Sequence, residues 1–336
     1  MNLIVLLHTQ TDGSLPKAAF EAVTAAKQLN TPFAVGILGA NAKAACDQLA
    51  DAGATAYYAA EGDALAQPRY ATDVAAAVAL VKAAGADVVV APQTLRFARA
   101  LPGAAYRIGA AVDTHVGSLT AEGDALRVQR WFYRQRILGS FTRSARPWVL
   151  LVDAGIFEPF TAGAGAANAT VVDAGITAED ERTTVTGVQA PSADGQTIRP
   201  DAKLLFVAGA GWTKKQGDGN MHLDEAAATI TGFLAKSGAS LGSSKSLVDM
   251  PEAAKVFSFM SHMNQVGQTG STPRHPKGLA TCCHGEEPHV VGWRFINERR
   301  AVNTDPNCGW AQGKADVVYV ADAFEVMAKV NALMGQ

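Results

Sequence analysis

Long apolar runs, an excess of one charge and a dense set of cysteines are all missing from this sequence, and each absence removes a class of protein. The opening apolar stretch, Leu3 to Leu7, falls far short of the roughly 20 residues that a membrane-spanning helix needs, so no direct membrane insertion is expected. It also lacks a basic flank and a small-residue cleavage site, and reads as a buried strand, not a leader. Lys and Arg number 29 against 31 Asp and Glu, a formal net charge of -2. Nucleic-acid binding needs a concentrated basic face, so it is not expected. Four cysteines in 336 residues cannot form a stapling framework; reduced thiols and a cytoplasmic location are the expectation. At roughly 100–200 residues per domain, a chain of this length suggests two domains.

What is present is alternation. The Leu3–Leu7 run is followed by Asp12-Gly13, Ser14 as a helix N-cap, and Leu15, Ala18, Ala19, Ala22, Val23, Ala26 and Leu29 at helical spacing. A strand is expected over Phe33–Leu38 and a helix over Asn41–Ala52. Gly53 and Gly85 each follow a helical stretch and precede an apolar run, the place of a left-handed helix stop. A further strand is expected over Val88–Ala91, then a helix over Arg96–Ala110. Residues 127–133 and 147–152 read as longer strands, an antiparallel addition to a mostly parallel sheet. After a Gly-, Ala- and Thr-rich connector the alternation restarts: strand at Lys203–Val207, helix at Leu223–Lys236, late strands at Arg300–Val302 and Val317–Ala321, and a last helix capped by Asp322. The expectation is therefore α/β with two domains, 1–195 and 196–336, each a mostly parallel sheet flanked by helices.

Four segments of the second half could carry chemistry. Small residues after a parallel strand, Ala208-Gly209-Ala210-Gly211, let a phosphate or ring approach the backbone. They do not make G-x-G-x-x-G, which speaks against a nicotinamide-dependent dehydrogenase. Gln265-Val266-Gly267-Gln268-Thr269-Gly270 offers carboxamides and a hydroxyl between two glycines, or else is an ordinary turn. Cys282-Cys283-His284-Gly285-Glu286-Glu287-Pro288-His289 crowds metal-ligand types together, but adjacent cysteines grip one ion poorly, and no metal site is expected. Asn303-Thr304-Asp305-Pro306, with Asp316 beyond, sits where a ribose or adenine lies over strand ends, or caps its own turn.

In order and spacing these pieces resemble the alpha subunits of electron-transfer flavoproteins. The family's small-residue loop, G-A-S-R-x-x-V-D, Q-V-G-Q-T-G, G-x-S-G-x-x-Q-H and N-x-D-P followed by A-D correspond to Ala208–Trp212, Gly242–Asp249, Gln265–Gly270, Cys283–His289, Asn303–Pro306 and Ala315-Asp316. The likeness extends through Gly13-Ser14-Leu15 and Ala91-Pro92-Gln93-Thr94, so it covers nearly the whole chain. It implies a Rossmann-like C-terminal domain that binds FAD, and a heterodimer with a beta subunit. It implies an electron carrier with no catalytic residue of its own, placed between an upstream dehydrogenase and a downstream quinone-linked acceptor. Cofactor contacts are expected from Ser244, Lys245, Gln265, Gly267, Gln268, Thr269, Gly270, His284, Gly285, His289, Asn303, Asp305 and Asp316. The chain departs from the pattern in four places: no arginine in the first loop, Lys245 in place of arginine, His284 in place of serine, and Pro288 before His289. The missing loop arginine keeps a second reading open, a flavin-free scaffold or a subunit for another nucleotide.

Overall fold

The computed structural model describes residues 1–123, 125–133, 137–163, 165–187, 198–199, 201–267, 270–281, 293, 295–308, 311–312 and 315–335. The chain forms two compact units, Met1–Val188 and Gln189–Gln336. Both are α/β, with sheets that are largely or wholly parallel. Among the described residues no helix is long and apolar enough to cross a membrane.

Among the described residues the N-terminal unit is built on nine strands: β1 (Leu3–His8), β2 (Phe33–Leu38), β3 (Tyr57–Ala60), β4 (Val88–Pro92), β5 (Ala111–Glu122), β6 (Ala125–Phe132), β7 (Ile137–Thr142), β8 (Trp148–Val152) and β9 (Thr170–Val171). Their order is β7-β6-β5-β8-β4-β1-β2-β3-β9. β1, β2, β4 and β8 are buried at every residue, as unbroken Val/Ile/Leu runs must be when helices cover both faces. Two cores follow, one on each face. One packs Val5, Leu7, Val35 and Ile37 on Ala22, Val23 and Leu49, and the other packs Ile4, Leu6 and Val89 on Leu80, Phe97 and Leu101.

The differences from expectation are local. Ser14 does not cap the first helix, Lys17–Lys27; its hydroxyl donates to Asp12 Oδ1 at 2.7 Å and is thereby diverted into a turn. The helix expected over 41–52 shrinks to Ala42–Ala45 and a 3-10 turn, Cys46–Leu49, and Asn41 is left-handed at φ 51°. Gly53 and Gly85 do adopt positive φ, 79° and 56°. β8 was expected to be antiparallel, but it runs parallel to both β4 and β5; among the described residues the antiparallel pairings are β5 with β6 and β6 with β7. The hairpin carrying them is tied down by Asp113, which accepts from Arg143 Nε at 2.6 Å and Trp148 Nε1 at 2.9 Å.

Among the described residues the C-terminal unit has five strands, β10 (Leu204–Ala208), β11 (Ser240–Ser243), β12 (Lys277–Thr281), β13 (Glu298–Asn303) and β14 (Val317–Val320), in the order β11-β10-β12-β13-β14. Every pairing is parallel. The helix Leu223–Ser237 stops at Gly238 in the left-handed conformation, φ 63°. The last helix, Ala323–Leu333, starts where Asp322 accepts from the N–H groups of Phe324 and Glu325 at 2.8 and 3.2 Å, as the capping reading required. These two helices cover one face, with Phe206, Phe233, Ile230 and Met327 between sheet and helices.

His8 ends β1 in a buried position, and burial pushes its imidazole from 6.5 down to about 4, with the Arg96 cation opposing protonation as well. The unfolded chain therefore binds a proton that the folded chain refuses. This contribution to stability is complete above about pH 6.5 and declines as pH falls towards 4, by roughly 3 kcal/mol over the whole interval. Urea midpoints of wild type and His8→Gln, compared between about pH 7 and pH 5, should show a steeper decline for wild type. Parallel declines would contradict the assignment.

Candidate functional site

The parallel arrangement of the C-terminal sheet brings all five strand C-termini to one edge. Register fixes the level: Ala208 pairs with Ser243 on one side and Thr281 on the other, Thr281 with Val302, and Asn303 with Val320. The chain reverses its direction of strand addition at β10, going first to β11 and then to β12 on the far side. Such a reversal opens a ligand crevice beyond the strand C-termini in sheets of this kind.

Small residues occupy that edge because little else fits. A Cβ at Gly242 would lie 2.7 Å from Val266 Cγ2. Beyond β10 the loop turns into a short 3-10 helix, Ala210–Thr213. Trp212 is fully buried; its Nε1 donates to Thr281 Oγ1 at 2.8 Å, and its ring sits 4.5 Å from that of Phe324. The large residue of the loop thus faces inward as packing, and Gly211 is left at a cavity wall.

Of the expected contacts, Ser244 and Lys245 follow β11 directly. Ser244 N–H donates to Ala208 O at 2.9 Å, and its hydroxyl accepts from Leu247 N–H at 3.0 Å, capping the short helix Lys245–Val248. Lys245 is half-exposed and ion-paired with Asp249, which also holds His262 Nε2 at 2.7 Å. Hydrogen bonds from Lys245 and then His262 hold the Asp249 carboxyl below its ordinary range. His262 was not singled out from the sequence, because a lone histidine thirteen residues from its partner carries no spacing signal.

The 265–271 segment docks on the same edge. Val266 N–H donates to Ser243 O at 2.9 Å, and Ser271 N–H donates to Gln265 O at 2.7 Å, closing a tight loop. Gly267 stands at φ 135°, which side chains avoid, and a side chain at Gly270 would collide with the Gln265 carbonyl. Both glycines are therefore required by the loop itself. Gln265 is buried at its base. Gln268, Thr269, His284, Gly285 and His289 lie outside the described residues.

Asn303 ends β13 at this edge, nearly buried, and Asp305 N–H donates to its Oδ1 at 3.0 Å; Asp305 in turn accepts from Asn307 N–H at 2.8 Å. This is self-capping of the turn. Asp316 is not brought to the same edge. It precedes β14 and accepts from Arg299 N–H at 2.7 Å and Nη2 at 2.8 Å, near the opposite ends of β13 and β14.

A cavity of about 180 Å³ opens between the β10 loop and the ends of β13 and β14, lined by Gly211, Lys214, Lys215, Gln216, Asn303 and Asp322 among others. The two exposed lysines went unnoticed in the sequence, where a lysine pair reads as a solvated surface. Ser243 Oγ, by contrast, is wholly buried at the edge with no hydrogen-bond partner among the described residues. An edge with small residues, an orphan hydroxyl and two cations fits the phosphates and polar ends of a dinucleotide.

Comparison with known proteins agrees in kind. Residues 4–177 match the electron transfer flavoprotein domain family. Over 328 residues the chain is 26% identical to the electron transfer flavoprotein subunit alpha of Syntrophomonas wolfei subsp. wolfei (strain DSM 2245B / Goettingen), covering 95% of this chain and 94% of that relative.

Gly267→Ala should cost roughly 1–3 kcal/mol, the usual penalty for a residue forced into a glycine-only conformation. Denaturant unfolding followed in the C-terminal unit would show it; an unchanged midpoint would mean that the loop relaxes freely.

Proposed function

Because the chain belongs to the electron transfer flavoprotein family, as an alpha-subunit-like member, we propose that it is the FAD-binding subunit of an alpha–beta electron carrier. The observation that carries the reading is the C-terminal edge of β10 to β14, where small residues and Ser243 lie at the strand-order reversal and the Lys214–Lys215 pair borders a cavity at the ends of β13 and β14. FAD, when bound, supplies the reversible one- and two-electron chemistry. The protein's part is to hold and tune it, which is why no nucleophile or acid–base pair is needed at the site.

Within this reading Lys214 and Lys215 neutralise the phosphates, and Asn303 lies beside them at the same cavity. Ser243 supplies a buried hydroxyl without a competing partner among the described residues. Lys245 compensates part of the negative charge that reduction adds, in place of the arginine that the family pattern has there. Its pairing with Asp249 tempers that effect, so the pair sets a level between that of a free cation and that of none. The beta subunit completes the carrier, an upstream dehydrogenase delivers electrons, and a quinone-linked acceptor removes them.

The test is the absorbance spectrum of the chain purified with its beta subunit. A flavin spectrum with one FAD per heterodimer is expected, and a folded, colourless heterodimer that refuses added FAD overturns the reading. Replacing Lys214 and Lys215 together by alanine should weaken FAD binding about tenfold or more, measured by flavin fluorescence. In a redox titration Lys245→Ala should lower the flavin potential and Asp249→Asn should raise it. Shifts of the same sign, or none, would place the pair away from the cofactor.

A further inference from the structure

One carboxylate beyond β11 serves two nitrogens that come from separate stretches of chain. Asp249 closes the short helix Lys245–Val248. Its Oδ2 is paired with Lys245 Nζ, one turn back on the same helix, and its Oδ1 stands 2.7 Å from His262 Nε2.

His262 is held by a frame of its own. It opens the 3-10 turn His262–Asn264, whose entry is closed by a reciprocal pair of bonds. Ser261 Oγ accepts from Met263 N–H at 3.2 Å, and Asn264 Oδ1 accepts from Ser261 N–H at 3.0 Å. Asn264 is fully buried, and its Nδ2 donates to Leu241 O at 3.2 Å, so the turn is fastened to β11. On its other side Gln265 N–H donates to His262 O at 3.1 Å, and Val266 follows directly onto the strand edge. Buried and backbone contacts therefore bring the imidazole opposite Asp249, and the exposed hydrogen bond between them is not asked to do so.

We propose that His262 is a positioning residue for Lys245: through Asp249 it sets how much of the lysine charge reaches the cofactor, and it makes that share depend on pH. The inference rests on the flavin reading above. Hydrogen bonds from Lys245 and then His262 hold the Asp249 carboxyl below its ordinary range, so it stays ionised at neutral and mildly acidic pH. An ionised carboxylate only accepts. Nε2 therefore carries a hydrogen, and Nδ1 is the atom that takes a further proton. With the imidazole neutral, the charges of Lys245, Asp249 and His262 cancel. With it protonated they leave one positive charge in excess, and Asp249 is shared between two cations.

Histidine is the side chain whose charge ordinarily changes between about pH 5 and 8. Solvent reaches this one, 67% of its side chain being exposed. Among the described residues the charged groups acting on Asp249 are Lys245 and His262, and β11, on which the turn is fastened, consists of Ser, Leu and Gly alone. Reduction adds negative charge to a flavin, so an added positive charge here favours the reduced form. The sign follows. The flavin potential rises as pH falls through the titration of His262, beyond the change that the flavin shows on its own.

His262→Gln tests this, because glutamine keeps a donor for Asp249 and removes the titration. Spectroelectrochemical titration of the chain with its beta subunit and FAD is run at about pH 8 and at about pH 5.5. At a fixed applied potential the reduced-to-oxidised ratio of wild type should gain about twofold or more over that of His262→Gln between the two pH values. Two variants that change in parallel would overturn the proposal. A second measurement needs no cofactor: in the full chain before FAD is added, the NMR titration midpoint of His262 should move to lower pH in Asp249→Asn. An unmoved midpoint would overturn the pairing on which the proposal depends. A heterodimer that refuses FAD while the midpoint does move would instead overturn the flavin reading, and this inference with it.

Discussion

The candidate site depends on one constraint, the common direction of β10 to β14. Parallel pairing sends every strand C-terminus to one edge, and the register places Ala208, Ser243 and Thr281 at one level. Residues from five separate stretches of chain thereby become neighbours without any of them being close in sequence. A single hydrogen bond, Val266 N–H to Ser243 O at 2.9 Å, then attaches the glycine-bounded loop to that edge. Remove the shared direction and Lys214, Ser243, Gln265 and Asn303 have no reason to share a surface.

The same constraint explains why charge at the site can be tuned in small steps. Lys245 and Asp249 stand one helical turn apart beyond β11, with His262 on the other carboxylate oxygen. An ion pair with half-exposed members is worth little to stability, but its dipole remains a fixed electrostatic feature near the strand ends. Substituting either partner changes the local field in opposite directions while leaving the buried frame intact.

Much of the frame was legible in the sequence, and what failed did so for identifiable reasons. β2 falls on Phe33–Leu38 as read, because a continuous apolar run between turn residues has few other fates. Gly85 stands just past the helix Tyr70–Ala83 at positive φ, as read, because no other residue tolerates that backbone so cheaply; Gly53 also has positive φ but lies four residues past the 3-10 turn. The direction of β8 was misjudged because an apolar run reports burial and says nothing of which strands lie alongside. β5 escaped notice because its register shifts near Asp113 and Val116 break the alternation, with His115 at φ 57°. Ser14 looked like a cap, but Asp12 two residues earlier captured its hydroxyl. For the site, the resemblance to the family pointed to Ser244, Gln265 and Asn303, which lie at the strand ends. It gave no warning that Asp316 sits by Arg299 at the other end of the strands, nor that Lys214 and Lys215 border the cavity.

Hydrogen–deuterium exchange of the full chain with and without FAD tests the central claim most directly. Protection on adding FAD should concentrate in 208–216, 243–245, 265–267 and 303–305, the segments at the C-terminal edge of the five-stranded sheet. Protection confined to 298–300 and 315–317, at the opposite edge, or no change at all, would contradict the account.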